Sequence, residues 1–170
     1  APPKDTAGNT ATSARGVGAH QEHLRRSSWR GPIRCDACHI VPTKTEDPGH
    51  ADTSLPAEVT FSGMAVAEGA APTWDGATCS GVYCHGATSS GGTHIVANWT
   101  TIDGTQVSCG SCHGFPPAEK HPKSSACHDC HGSVVDESNA IVNGDLHING
   151  TVEVSANHPA GWGTGKTHGA

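Results

Sequence analysis

Apolar positions in this 170-residue chain are scattered singly and in pairs among glycine, proline, serine and threonine. No segment repeats them at the three-and-four-residue interval of an amphipathic helix. Short β-branched runs predict strands at 58–61, 94–99 and 151–154, and short helices are expected at 19–26 and around the cysteine motifs described below. The rest reads as coil, because Gly and Pro together supply 33 residues that interrupt regular ladders. No run of 18 apolar residues occurs, so no membrane-spanning helix is expected.

Such a pattern leaves a core problem. The length is that of one domain, yet only 7 residues are aromatic, and side chains alone would make a poor interior. Something other than side chains must supply the buried apolar area.

The cysteines indicate what it is. All eight lie in pairs closed by histidine: Cys35-Asp-Ala-Cys38-His39, Cys79-Ser-Gly-Val-Tyr-Cys84-His85, Cys109-Gly-Ser-Cys112-His113 and Cys127-His-Asp-Cys130-His131. With 13 histidines in the chain, a histidine after every pair would arise by chance about 3 times in 100,000. In c-type haem attachment two thiols bond the porphyrin and the following histidine ligates the iron. The motifs therefore predict four covalent haems, held by Cys35, Cys38, Cys79, Cys84, Cys109, Cys112, Cys127 and Cys130, with proximal His39, His85, His113 and His131. Two zinc sites or four disulfides could also use eight thiols, but neither needs the histidines. The wider Cys79 to Cys84 spacing is expected to be absorbed by a small bulge. The haems would be the core, and the haem-free chain should be largely unfolded.

Nine further histidines can supply second axial ligands, which close the iron to substrate and suit electron transfer. His121 is aimed by the prolines before it. His50 and His147 each begin a Val/Thr-rich piece downstream of an attachment motif, an internal echo that makes them candidates. His20 and His23 share a helical face, with His23 preferred as ligand and His20 as alternative. His158 is a second alternative and the best of three reserves with His94 and His168, which otherwise read as solvent histidines, while His128 is read as a surface or propionate contact and Met64 as packing.

The motifs divide one domain into a haem-free basic arm at 1–34, a tetrahaem core at 35–131 and a haem-free segment at 132–170. Residues 1–45 carry seven bases and three acids, net +4, and the remainder three bases and thirteen acids, net −10. Complementary ends favour head-to-tail contacts between copies, although the arginines can instead pair within the chain. An extended arm from His23 to Cys35 can reach roughly 40 Å, enough to place His20 or His23 on a neighbour's haem.

These motifs, with Ala57-Glu-Val-Thr-Phe-Ser-Gly-Met64, Ala71-Pro-Thr-Trp74 and the Gly-Phe-Pro-Pro117 after His113, resemble the CxxxxCH/CxxCH multihaem cytochromes of metal-respiring bacteria over about residues 18–160. Tetrahaem size also resembles the extracellular cytochrome filament proteins called nanowires. The resemblance implies bis-histidine haems, long-range electron transfer and little regular structure.

The sequence thus predicts a mostly irregular coil with short helices and a few short strands, wrapped around four haems. The expected function is electron transfer, not enzymatic catalysis. The favoured assembly is a homopolymeric extracellular filament that meets redox partner proteins or extracellular acceptors. A periplasmic electron shuttle is the alternative, and a reductase with one open haem a lesser one. No nucleic acid is expected as a partner. Ala1 reads as a mature start left by a removed secretion signal, and the location as extracellular or periplasmic.

Overall fold

The computed structural model describes residues 3–50, 52–54, 56–117 and 121–154. Regular elements are few and short. Helix α1 is His20–Leu24, strands β1 (Thr73–Trp74), β2 (Thr78–Ser80) and β3 (Ala97–Asn98) follow, and helix α2 is His128–His131. Tight 3-10 turns occupy Cys35–Ala37 and Tyr83–His85, and a kinked pair of them spans Gly63–Gly69. The chain is therefore the irregular coil that its Gly and Pro content predicts.

Strands β1, β2 and β3 form one antiparallel sheet in that order, with Cys79 of the central strand opposite both Trp74 and Ala97. The hairpin between β1 and β2 is nucleated by Asp75, whose carboxylate accepts from the Ala77 and Thr78 amides and from the Thr78 hydroxyl. The hydroxyl bond first, then those amides, hold its pKa down to about 2. Of the expected strands, 94–99 contains β3. The 58–61 segment forms no ladder and instead hangs on the first attachment turn, Thr60 N bonding Cys38 O and Ser62 N bonding Ala37 O. The 151–154 segment is coil among the described residues. β1 and β2 were hidden from periodicity because a turn, not alternation, makes them.

The apolar interior is small. The buried apolar side chains among the described residues are Val17, Ala37, Ala65, Val82 and Val134, and the largest fully buried side chain is Ser111. Ala37, Ala65 and Val82 make one cluster against Ile33, Phe61, Cys38, Cys79 and Cys84, so the first and second cysteine motifs are packed together. The second and third are joined by backbone. Gly86 has a φ of 84°, and a Cβ there would lie 1.8 Å from the Cys112 carbonyl oxygen. Only glycine permits both that conformation and that approach. Thr93 N, His94 N and Gly114 N complete the joint by bonding Gly110 O, Ser111 O and Ser90 O.

The described parts of 1–34 and 132–170 are folded against each other. Arg26 pairs with Asp145, and His147 Nδ1 bonds Trp29 O at 2.7 Å. Arg25 and Arg34 pair with Glu22 and Asp36 in the same chain.

Candidate functional site

The cysteines lie beside or within short turns. Cys35 opens one, Cys84 sits in another, and Cys127 caps α2, which contains Cys130. Cys109 lies within, and Cys112 directly after, a turn closed by Ser111 N to Ser108 O. Between Cys79 and Cys84 the two additional residues extend β2 through Ser80 before the chain turns at Gly81 and Val82. All eight thiols are unbridged. Burial pushes the Cys79 and Cys84 thiols up to about 11, and those of Cys38 and Cys112 upward as well. Apolar surroundings that oppose the thiolate suit a thioether better than thiolate coordination of a bare ion.

The histidines are gathered in twos. His39 faces His20 with ring centroids 6.2 Å apart, His85 faces His23 at 6.3 Å, His113 faces His147 at 6.4 Å, and His131 faces His121 at 6.1 Å. Each pair joins one motif histidine to one from elsewhere. Two metal–imidazole bonds of about 2.0 Å in line, plus the two ring radii, require a centroid separation of about 6 Å. Seven of these eight rings donate Nδ1–H to a backbone carbonyl at 2.6–2.9 Å: His20 to Val17, His23 to Ala19, His39 to Glu58, His113 to Gly114, His121 to Pro122, His131 to Glu153 and His147 to Trp29. A carbonyl can only accept, so the proton is fixed on Nδ1 and Nε2 keeps its lone pair for a metal. Burial lowers the pKa of His20, His23 and His147, and takes His85 down to about 4, so these rings are neutral at pH 7.

Among the described residues, no three or more His, Cys, Asp or Glu side chains are clustered as a bare metal ion would need. Paired histidines beside paired thiols fit a metal whose four equatorial positions are already filled, as in a porphyrin. Cys35, Cys38, His39 and His20 would hold one such group. Cys79, Cys84, His85 and His23 would hold a second, Cys109, Cys112, His113 and His147 a third, and Cys127, Cys130, His131 and His121 a fourth.

Helix α1 contributes to two of these sites, because His20 and His23, three residues apart, project from the same side. Trp99 secures them: its ring is edge-on to His20 at 4.7 Å and stacked on His23 at 5.7 Å, and its Nε1–H donates to Arg15 O at 2.7 Å. A side chain at Gly18 would strike that indole, its Cβ falling 1.9 Å from Nε1. Sequence reading gave Trp99 no role, and an aromatic far from α1 in the chain carries no local signal of this contact.

His50 does not face a motif histidine. Its exposed ring bonds Thr45 O at 3.1 Å, within a turn that Asp47 closes on Thr43 and Lys44. The ring that faces His39 is that of His20. The echo with His147 is therefore one of sequence, not of placement. On the arm, the His20 and His23 rings both meet histidines of their own chain. His94 is exposed, and His128 lies 3.3 Å from Asp129. Met64 packs by Gly150, and His158 and His168 fall outside the described residues.

Residues 78–113 match the family model described as the Geobacter CxxxxCH...CXXCH motif. That segment is the second and third sites with the backbone joint between them. The motif is that of a multihaem c-type cytochrome in electron transfer, with covalently bound haem c, and proteins of this kind are exported from the cytoplasm. No curated protein and no solved structure matches the chain. Among the described residues no helix is long and apolar enough to cross a membrane.

Proposed function

We propose that this chain binds four haem c groups, each with two histidines of the same chain as axial ligands, and serves as an electron relay. The four histidine pairs carry the reading: all four motif histidines have a partner ring at metal-spanning distance, leaving no motif with an open face. The bound group supplies one-electron redox chemistry. The chain's own residues position and enclose it: the cysteines anchor, backbone carbonyls orient the imidazoles, and the second histidine keeps small molecules off the metal. A reductase would need one open position with acid/base groups around it, which the pairing argues against.

Mass spectrometry of the holoprotein with electron paramagnetic resonance tests this reading. Four haem adducts and wholly low-spin iron are expected. Fewer than four adducts, or a high-spin ferric signal that responds to cyanide or nitrite, would overturn it.

A homopolymeric filament outside the cell is the assembly that the charge division supports, with net +4 in residues 1–45 and net −10 beyond. Three of the seven bases are engaged in ion pairs within the chain and Arg30 is buried, which leaves Lys4, Arg15 and Lys44 exposed outside those pairs. No ligand from a second copy is required, so such contacts would be electrostatic and salt-sensitive. Electron micrographs at low and high salt decide between a polymer and a periplasmic shuttle.

A further inference from the structure

Among the described residues Arg30 is the only buried side chain bearing a full charge, 8% exposed. It makes no ion pair with a carboxylate there. Its guanidinium is spent on backbone: NH1 donates to His23 O at 3.0 Å, Gly31 O at 2.9 Å and Arg25 O at 3.3 Å, and NH2 donates to Glu22 O. Three of these carbonyls belong to the C-terminal turn of α1 and its cap, where a cation is favourable. Burying a cation against backbone dipoles and the Trp29 ring, 5.4 Å from the guanidinium carbon, is still expensive, and a neutral amide could satisfy part of the same carbonyl set.

These bonds fix where the charge falls. The 3.0 Å bond to His23 O sets the guanidinium against the backbone of His23, one of the four groups of one site. In a low-dielectric setting a fixed positive charge favours whichever state of its neighbour carries one more electron. The couple takes up one electron, from dithionite in a titration, with no proton or leaving group exchanged.

We propose that Arg30 raises the reduction potential of the site formed by Cys79, Cys84, His85 and His23, making it a preferred resting place for an electron relative to that site without the charge. This rests on the bis-histidine reading above, whose own test is the haem count and spin state of the unaltered protein. Redox titration of the holoprotein, followed optically, compares Arg30→Gln and Arg30→Lys with the parent. In Arg30→Gln one of the four couples should fall by about tenfold in its equilibrium constant, which is 59 mV for one electron. Arg30→Lys should retain most of the parent value. All-low-spin spectra in both variants separate a charge effect from loss of a ligand. Unchanged couples in Arg30→Gln with four low-spin haems, or an equal fall in both variants, would overturn the proposal and leave the bis-histidine reading intact. If Arg30→Gln yields no holoprotein, Glu22→Gln decides. Glu22 is on the surface and opposes the Arg30 field, so its neutralisation must raise one couple, and four unmoved couples would reject the idea.

Discussion

His121 and His131 face one another with ring centroids 6.1 Å apart and planes within 18° of parallel. His20 and His39 are similar at 25°, whereas His23 and His85 cross at 63° and His113 and His147 at 78°. Near-parallel imidazoles split the two metal orbitals that bond with their rings, while crossed planes leave them nearly equal in energy. The four sites should therefore divide evenly in low-temperature electron paramagnetic resonance, two with rhombic low-spin spectra and two with strongly anisotropic ones. Four rhombic spectra would contradict the crossed pairs.

Replacing His20 should open one site, and replacing His50 should open none. In His20→Ala one of four haems becomes high-spin and binds carbon monoxide when reduced, because no other described ring stands opposite His39. His50→Ala should match the parent in both respects, since its ring lies on an exposed turn. The reverse result would restore the ligand set expected from the sequence echo.

The eight cysteines and their four histidines are legible in sequence because spacing is local: a turn of a few residues brings thiols and imidazole together whatever the fold. The second ligands depend on distant packing. His121 and His147 could be named, but choosing His20 over His50 required the Trp99 contact and the Asp47 turn, neither of which leaves a periodic trace. The irregular fold class follows from Gly and Pro content, while β1 and β2 depend on Asp75.

The second and third sites should be mechanically coupled through Gly86. In Gly86→Ala the left-handed strain adds to a backbone overlap with Cys112 O, costing about 3 kcal/mol. Gly104 has a φ of 82° with nothing within 4 Å of a built Cβ, so Gly104→Ala should cost only about 1 kcal/mol. Denaturant titration of both holoproteins measures the difference, and equal losses would show that the close approach is unimportant.

Without its cofactor the chain should not hold this shape. The buried apolar side chains among the described residues are valine and alanine, too little area to offset backbone entropy of about 1 kcal/mol or more per residue. Protein made with the attachment machinery absent should show a disordered far-ultraviolet circular dichroism spectrum and no cooperative melt. A cooperative, native-like transition would mean that polypeptide packing suffices.

Acid should dismantle the fold through its turns. Asp5, Asp47, Asp75, Asp103 and Asp136 each accept side-chain and backbone hydrogens in a tight turn, from Asn9, Thr43, Thr78, Thr105 and Ser138 respectively, and these bonds hold every one of the five below the usual carboxylate range. Such bonds favour the charged form. A folded-state pKa below the unfolded value means that the unfolded chain takes up protons first. The stabilisation is then fully present above the unfolded value of 3.8 and is lost as pH falls toward about 2, the value at Asp75. Because the β1–β2 turn sets the strand carrying Cys79, Asp75→Ala should move the acid transition to higher pH. Asp75→Asn, which keeps an acceptor but no charge, should fall between the variant and the parent. Circular dichroism of the haem bands between pH 5 and 2 follows the change, and coincident curves for all three proteins would remove Asp75 from the acid response.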